Sequence, residues 1–163
     1  MTTMHKATIG SISTGTLRNE DLLQAFADEL ADRIKGVPQI TDEIMRLSTL
    51  IREAREVAPY ASDEHNSPLP GMLVDELQEA LNDYAPPFCY FGSLESDGAD
   101  FGFWPDREAI QELIDKSTMI LPLTNNGNLV CVNAYEGLYI HVNDDGHVTI
   151  SKLEPGEVLL EGF

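Results

Sequence analysis

The spacing of apolar residues changes at Pro86-Pro87, and this change constrains the fold more than any other feature of the sequence. Before it, apolar side chains recur every three or four residues, which is typical of amphipathic helices. After it, apolar and polar side chains largely alternate, which is typical of strands. Helices followed by strands predict an α+β fold, because a parallel α/β sheet would need the two element types to alternate along the chain.

Three helices are predicted before this point, each ended by proline or glycine. Residues 59–71 contain three prolines and are predicted to form a loop between the second and third helices. The predicted helices are 20–35 with Asn19 as N-cap, 42–58 with Thr41 or Asp42 as N-cap, and about 72–84.

An antiparallel meander is predicted after Pro87, with one helix from Asp106 to Lys116 inserted before it. Asn126-Gly127, Glu136-Gly137 and Asp145-Gly146 are hairpin signals, since such pairs suit tight turns between strands. The chain is therefore expected to be a single α+β domain over 1–163, with a helical part at about 16–84 and a sheet part at about 87–163. The predicted meander strands are Met119–Thr124, Asn128–Ala134, Leu138–Asn143 and His147–Leu153.

Negative charge is concentrated beyond Arg55. Residues 56–163 hold twenty acids against three bases, and residues 1–55 hold eight against seven, so −17 and −1 add to the net charge of −18. Solubility of a small domain needs a net charge of only about 2–8. Direct binding to nucleic acid or to an anionic membrane is disfavoured, because both require a basic patch. No apolar run is long enough for a membrane span.

The acids of the third and fourth predicted helices are spaced three or four residues apart. Such residues are neighbours on one helix face, and like charges there repel each other. The simplest interpretation is a solvated face; the alternative is a surface that resembles the charge row of a nucleic-acid backbone. The residues are Asp75, Glu76, Glu79 and Asp83 on the third helix, and Glu108 and Glu112 on the fourth.

Two aromatic strands are predicted around an eight-residue loop, residues 93–100, which contains Glu95, Asp97 and Asp100. Three interpretations are open. The aromatics form core and the loop is an acidic turn; or the loop and Trp104 form a binding hot spot, where Trp is enriched; or the three carboxylates bind Mg²⁺ or Ca²⁺. The spacing of the carboxylates does not match an EF-hand loop.

Three segments together resemble a family of small uncharacterised proteins of bacteriophages and mobile elements. The resemblance spans most of the chain except about residues 36–70, and it implies a bacterial cytoplasm but no established activity, so no residue roles follow from it. The segments are Ile12–Leu22 (ISTGTLRNEDL), Tyr84–Pro105 (YAPPFCYFG to DFGFWP) and His141–Thr149 (HVNDDGHVT).

The charge and this setting predict a non-enzymatic protein that inhibits a host nucleic-acid-binding system, such as an anti-CRISPR or DNA-mimic protein. It would dock on a basic surface of its partner, with the helix acids, the loop acids and Trp104 as contacts, and with no cofactor. Two alternatives are a metal enzyme, with Glu95, Asp97 and Asp100 holding Mg²⁺ and His141 or His147 as base, and a phage housekeeping protein without a charged partner. The oligomeric state is left open.

Overall fold

The α+β fold class is confirmed by a computed structural model. It describes residues 7–35, 37, 39–62, 67–117, 119–122, 129–133, 137–142, 148–152 and 158–160. These ranges divide into two compact units, the first made of residues up to Ala85 plus Cys89–Trp104, the second of Pro86–Phe88 plus the chain from Pro105 onward. Whether they act as the predicted single domain stays a prediction. None of the described helices combines the length and apolarity needed to cross a bilayer.

The first unit joins three helices to a three-stranded antiparallel sheet of order β1-β3-β2. A short 3₁₀ turn at Ala58–Tyr60 continues the second helix. The elements are β1 (Gly10–Thr14), α1 (Asn19–Ile34), α2 (Asp42–Val57), α3 (Leu69–Asn82), β2 (Cys89–Leu94) and β3 (Asp97–Pro105). The strand β1 was not predicted, because its sequence, GSIST, has only one large apolar residue.

Phe26 of α1 lies at the centre of this unit and is fully buried. Its ring packs edge-on against Phe91 of β2, with ring centroids 5.0 Å apart, and against Phe101 of β3 at 5.5 Å. Phe91 in turn contacts Phe103, whose ring centroid is 4.9 Å away. Edge-to-face aromatic pairs add about 0.5–1.5 kcal/mol beyond the burial of their area. The predicted aromatic hairpin with one buried face is thus confirmed, and its partner is α1.

The strands β1 and β3 approach very closely at Gly102. Ser11 faces Gly102 in the register, and a bulge lies between Ser11 and Ser13. A Cβ atom on Gly102 would lie only 2.1 Å from the carbonyl oxygen of Gly10. The absence of a side chain at Gly102 is therefore what allows β1 to join the sheet.

The starts of α1 and α3 differ from the predictions. α3 begins at Leu69 rather than about Met72, since Pro70 fits the first turn of a helix, where its missing N–H is not needed. Asn19 is the first residue of α1 and not its N-cap; Arg18 occupies the N-cap position without a side-chain hydrogen bond. The cap at Thr41 is confirmed, because its hydroxyl accepts a hydrogen bond from the Ile44 N–H at 3.2 Å.

The predicted eight-residue loop is wrong. β2 continues to Leu94 and β3 begins at Asp97, which leaves a tight turn at Glu95-Ser96. Extended pairing over this segment satisfies backbone hydrogen bonds that an open loop would leave to water. Asp97 and Asp100 are consequently strand residues, so their side chains are held by the sheet.

The second unit contains one helix and a five-stranded antiparallel meander of order β4-β5-β6-β7-β8. The inserted helix is confirmed with slightly shorter bounds, and the four predicted strands are confirmed over the residues that the structure describes, whereas β8 was not predicted. Asp106 caps the helix by accepting from the Ala109 N–H at 2.9 Å. The Asn126-Gly127 and Asp145-Gly146 turns lie outside the described residues. The elements are α4 (Arg107–Asp115), β4 (Met119–Pro122), β5 (Leu129–Asn133), β6 (Leu138–Val142), β7 (Val148–Lys152) and β8 (Val158–Leu160).

The close approach at Gly102 predicts that Gly102→Ala lowers the free energy of unfolding by about 1–3 kcal/mol, the usual cost of overpacking. Gly98→Ala is the matched control, since it lies in the same strand and a Cβ there meets no atom within 4 Å. Urea denaturation of both variants measures the difference. Equal stability of the two variants would contradict the tight β1–β3 contact.

Candidate functional site

The four acids of α3, named here the α3 row, are Asp75, Glu76, Glu79 and Asp83. All four are exposed. Their positions follow from the packing of the opposite helix face, where Leu73, Leu77 and Leu81 are buried in the core of the first unit. The buried leucines fix the orientation of the helix about its axis. All four acidic side chains therefore face solvent.

No cation neutralises the α3 row within the described part of the chain. The ion pairs among the described residues are formed by acids outside the α3 row. Asp75 and Glu76 lie in the middle of α3, which begins at Leu69, so they are too far from its N-terminus for the helix dipole to stabilise them. Asp83 occupies the C-cap, and the last turn has no basic residue. A negative charge at that end opposes the helix dipole. The charges of the α3 row therefore lower the stability of helix α3.

Helix α2 adds acids beside the α3 row that the sequence analysis did not identify as a site. Asp42 and Glu53 of α2 line the same surface groove as Glu76 of α3. Glu43 of α2 and Asp83 both lie near Tyr84, since the charge of each raises the pKa of that tyrosine. The sequence did not reveal these acids as a site, because the net charge of residues 1–55 is nearly zero. In the structure, the bases of α2 pair mostly with acids of α2 itself. The proximity of the two helices is tertiary and leaves no signal in the sequence.

One cation, Arg46, lies next to this combined surface. Its guanidinium donates two hydrogen bonds to Glu43, at 2.8 and 3.1 Å. The hydrogen bond to Glu43 is the main cause of a raised Arg46 pKa, and the charges of Glu43, Asp83 and Glu76 raise it further. The same pairing lowers the pKa of Glu43. A single arginine thus interacts electrostatically with acids of both helices, but its one positive charge cannot neutralise all of them.

The acids of the β2–β3 hairpin are separated by the strand geometry. Glu95 and Asp97 are exposed at the turn, and Asp97 accepts a hydrogen bond from the Ala99 N–H at 3.0 Å. Asp100 is half-buried; its Oδ2 accepts from the Ser11 hydroxyl at 3.1 Å, while its Oδ1 is buried without a partner in the described residues. Asp100 is therefore held against β1, and its role as a partner contact stays a prediction.

Trp104 is half-buried, and its indole N–H donates to the carbonyl oxygen of Gly92 at 3.1 Å. Its polar group is thus used inside the hairpin, which leaves only the ring surface for an interface contact. On the same strand pair, the Tyr90 hydroxyl donates to the Ser93 carbonyl at 3.0 Å. These bonds brace the hairpin, and the hot-spot interpretation of Trp104 stays a prediction.

The second unit carries the remaining predicted contacts. Glu108 and Glu112 are exposed on α4, but Glu112 pairs with Lys116 one turn later. Glu108 lies in the first turn, where the helix dipole favours an anion. The charges on α4 are therefore largely compensated within their own helix, in contrast to the α3 row.

The metal hypothesis gains no support from the geometry. Across the part of the chain that the structure describes, no group of three His, Cys, Asp or Glu side chains is arranged to hold a metal ion. Glu95, Asp97 and Asp100 do not converge, because hydrogen bonds and strand pairing direct the two aspartates to different neighbours. His147 lies outside the described residues.

The unpaired charge on α3 predicts that Glu79→Gln raises the free energy of unfolding. Each like-charge pair at this spacing costs about 0.2–0.5 kcal/mol, and Glu79 has three such neighbours in Asp75, Glu76 and Asp83. Glu56→Gln is the matched control, since Glu56 also lies in the last turn of an exposed helix face but pairs with Arg52 at 3.1 Å. Urea denaturation at low salt should show a higher free energy of unfolding than wild type for Glu79→Gln and not for Glu56→Gln. If Glu79→Gln lowered the free energy of unfolding as much as Glu56→Gln does, repulsion within the α3 row would not destabilise the helix.

The surroundings of Tyr84 predict a loss of stability at alkaline pH. Burial is the largest cause that raises the Tyr84 pKa above its ordinary value of 10.0, followed by the charges of Glu43 and Asp83. The folded state then holds the phenol proton more tightly than the unfolded state. This contribution is complete below pH 10 and is lost as pH rises through the folded pKa.

Tyr84→Phe should therefore lose less stability than wild type as the pH rises above 10, the ordinary pKa of tyrosine. Tyr60→Phe, at a tyrosine that is 70% exposed, is the control and should follow wild type. The measurement is the free energy of unfolding against pH for the three proteins. Parallel curves for all three would show that Tyr84 does not titrate differently on folding.

Comparison with known protein families, with curated proteins and with solved structures finds no match to this chain. The resemblance to phage and mobile-element proteins therefore stays a prediction. Evidence for function comes instead from the charges and contacts described above. The strongest of these is an exposed acidic surface, formed by α3 with part of α2, whose acids outnumber the cations placed near them.

Proposed function

We propose that this protein binds a basic surface of a nucleic-acid-binding protein and competes there with nucleic acid. The observation that carries the proposal is the α3 row, which is exposed, unpaired among the described residues and unfavourable to its own helix. A solvated face that served only solubility would gain from interspersed bases, as α2 and α4 have. A row without them is best explained by a partner that supplies the positive charge.

The spacing of the row suits a site built for a phosphate backbone. Four charges lie between residues 75 and 83, which at 1.5 Å per residue is about 12 Å along the helix. Their mean axial separation is therefore about 4 Å, close to the 3.4 Å per phosphate of one DNA strand. A helix is also rigid, so the charges keep this separation without an entropic cost on binding. Lys and Arg side chains placed for phosphates could thus contact the carboxylates.

The setting implied by the family resemblance narrows the class of partner. In a bacterial cell that carries a mobile element, basic nucleic-acid grooves belong to CRISPR effectors, restriction enzymes and repressors. Occupying such a groove would inhibit the partner without any catalytic step, so the proposed role is an inhibitor of host defence or regulation. It acts in the cytoplasm under this proposal.

The test is a capture experiment with paired charge variants. Tagged wild type, Glu79→Gln/Asp83→Asn and the control Asp32→Asn/Glu56→Gln are incubated with bacterial lysate at low salt. The two variants lose the same net charge, but only the first loses it from the α3 row. The proposal predicts a nucleic-acid-binding protein that is retained by wild type and the control, and is released by added duplex DNA. Retention by all three proteins and insensitivity to DNA would reject it.

Binding to that partner should weaken steeply with salt. The electrostatic screening length shortens from about 30 Å at 0.01 M salt to about 10 Å at 0.1 M, and charge-steered association slows accordingly. The association rate constant should fall at least about tenfold over this range, while the dissociation rate constant changes less. Surface plasmon resonance measures both. An association rate that does not change with salt would contradict a charge-based interface.

A further inference from the structure

A surface groove runs between α2 and α3 on the acidic side of the first unit. Its volume is about 370 Å³, and it is lined by Asp42, Met45, Arg46, Thr49, Leu50, Glu53 and Glu76. These residues define the α2–α3 groove. On α2 they recur at helical spacing from position 42 to 53, so the groove follows the helix for eleven residues, or about 16 Å.

The exposed side chain of Met45 gives the lining of this groove an apolar part. Met45 is 52% exposed, although Leu50 below it is 95% buried. On α3, Met72 is 54% exposed and lies four residues before Glu76, hence on the same helix face. Methionine is flexible and polarisable, and it is frequent on surfaces that bind apolar side chains of varied shape. Met45 in the lining, and Met72 on the face of α3 that carries Glu76, indicate a contact that goes beyond charge.

The polar part of the groove carries mainly negative charge. Asp42 and Glu76 form no ion pair within the described residues, whereas Glu53 lies 3.7 Å from Arg52. Arg46 is the only cation of the lining, and Glu43 already holds it in a bidentate pair at 2.8 Å. An occupant with positive charge at its edges and apolar residues at its centre would match this distribution.

The neighbouring groove between α1 and α2 differs from the α2–α3 groove in its charge. It is larger, about 460 Å³, with Ala31, Ile34 and Ile51 in its lining, so apolar character alone would favour it. Its charged lining, however, consists of Arg52, Arg55 and one acid, Glu56, and Arg55 pairs with Asp28 at 2.7 Å. A basic segment gains little attraction there. Of these two grooves, charge therefore favours the α2–α3 groove for such a segment.

We infer that the α2–α3 groove binds a basic amphipathic helix of the partner protein. The apolar stripe of that helix contacts Met45 and Met72, and its Arg or Lys residues pair with Asp42 and Glu76. The length of the groove corresponds to about three helical turns. Helices bind grooves in this way through apolar residues spaced three and four apart. The inference rests on the proposed function, and it specifies which part of the partner is recognised.

The test uses three synthetic peptides of equal length and fluorescence anisotropy at low salt. The first is an Arg/Leu helix with its leucines on one face, the second has the same composition in an order without an amphipathic face, and the third is oligo-arginine. The inference predicts that the first peptide binds at least about tenfold more tightly than the second. All three should bind more weakly to Glu79→Gln/Asp83→Asn than to the control Asp32→Asn/Glu56→Gln, as the proposed function requires.

The variant Met45→Glu separates the apolar contact from charge. It removes the apolar side chain and adds a negative charge, so binding of the amphipathic peptide should fall about tenfold while binding of oligo-arginine stays or increases. The control is Leu17→Glu, at a residue that is 66% exposed and outside the groove.

The outcomes distinguish the two proposals. Equal binding of the amphipathic and scrambled peptides, or tighter binding of both to Met45→Glu, would overturn the groove inference and leave the charge proposal standing. Failure of every basic peptide to bind at low salt would overturn both. Circular dichroism of each variant confirms that a lost signal is not caused by unfolding.

Discussion

The packing of Phe26 against the aromatic face of the hairpin is the contact on which the first unit depends. This ring, fully buried, contacts Phe91 and Phe101 and so joins α1 to two strands that lie far from it in the sequence. Helix α1 in turn packs against α2 and α3. A helix that buries one face against such a core must expose the other. The orientation of the acidic residues on α3 is thus a consequence of apolar packing.

The negative charges on α3 repel one another and destabilise the helix, and this cost is evidence about function. Asp83 stands at the negative end of α3, and three more acids precede it on the same helix without a cation among the described residues. In α2, by contrast, Arg46 and Arg52 pair with acids three and four residues away. Both helices belong to the same unit, so the difference is local. A binding role for α3 accounts for it, because a partner would supply the missing positive charge.

Much of the fold, and part of the candidate site, could be predicted from the sequence. The helical spacing of Leu73, Leu77 and Leu81 correctly placed the core face of α3, and hence the exposed face with Glu79. Prolines and Gly71 made residues 59–71 look like a loop, so the start of α3 was placed three residues late, although Pro70 fits the first turn of a helix. The hairpin was more difficult: its acidic residues were predicted to form a loop, whereas strand pairing with β1 holds Asp100 half-buried.

The sequence by itself determined the α+β class, the helix faces and the excess of negative charge, because each depends on residue type and spacing along the chain. Tertiary structure alone decided that α2 adds Asp42, Glu43 and Glu53 to the acidic surface, that Met45 borders a groove beside Glu76, and that Gly102 admits β1 to the sheet. These features depend on residues from separate segments coming within a few ångströms of each other. Distances of that kind follow from packing, which no local pattern encodes.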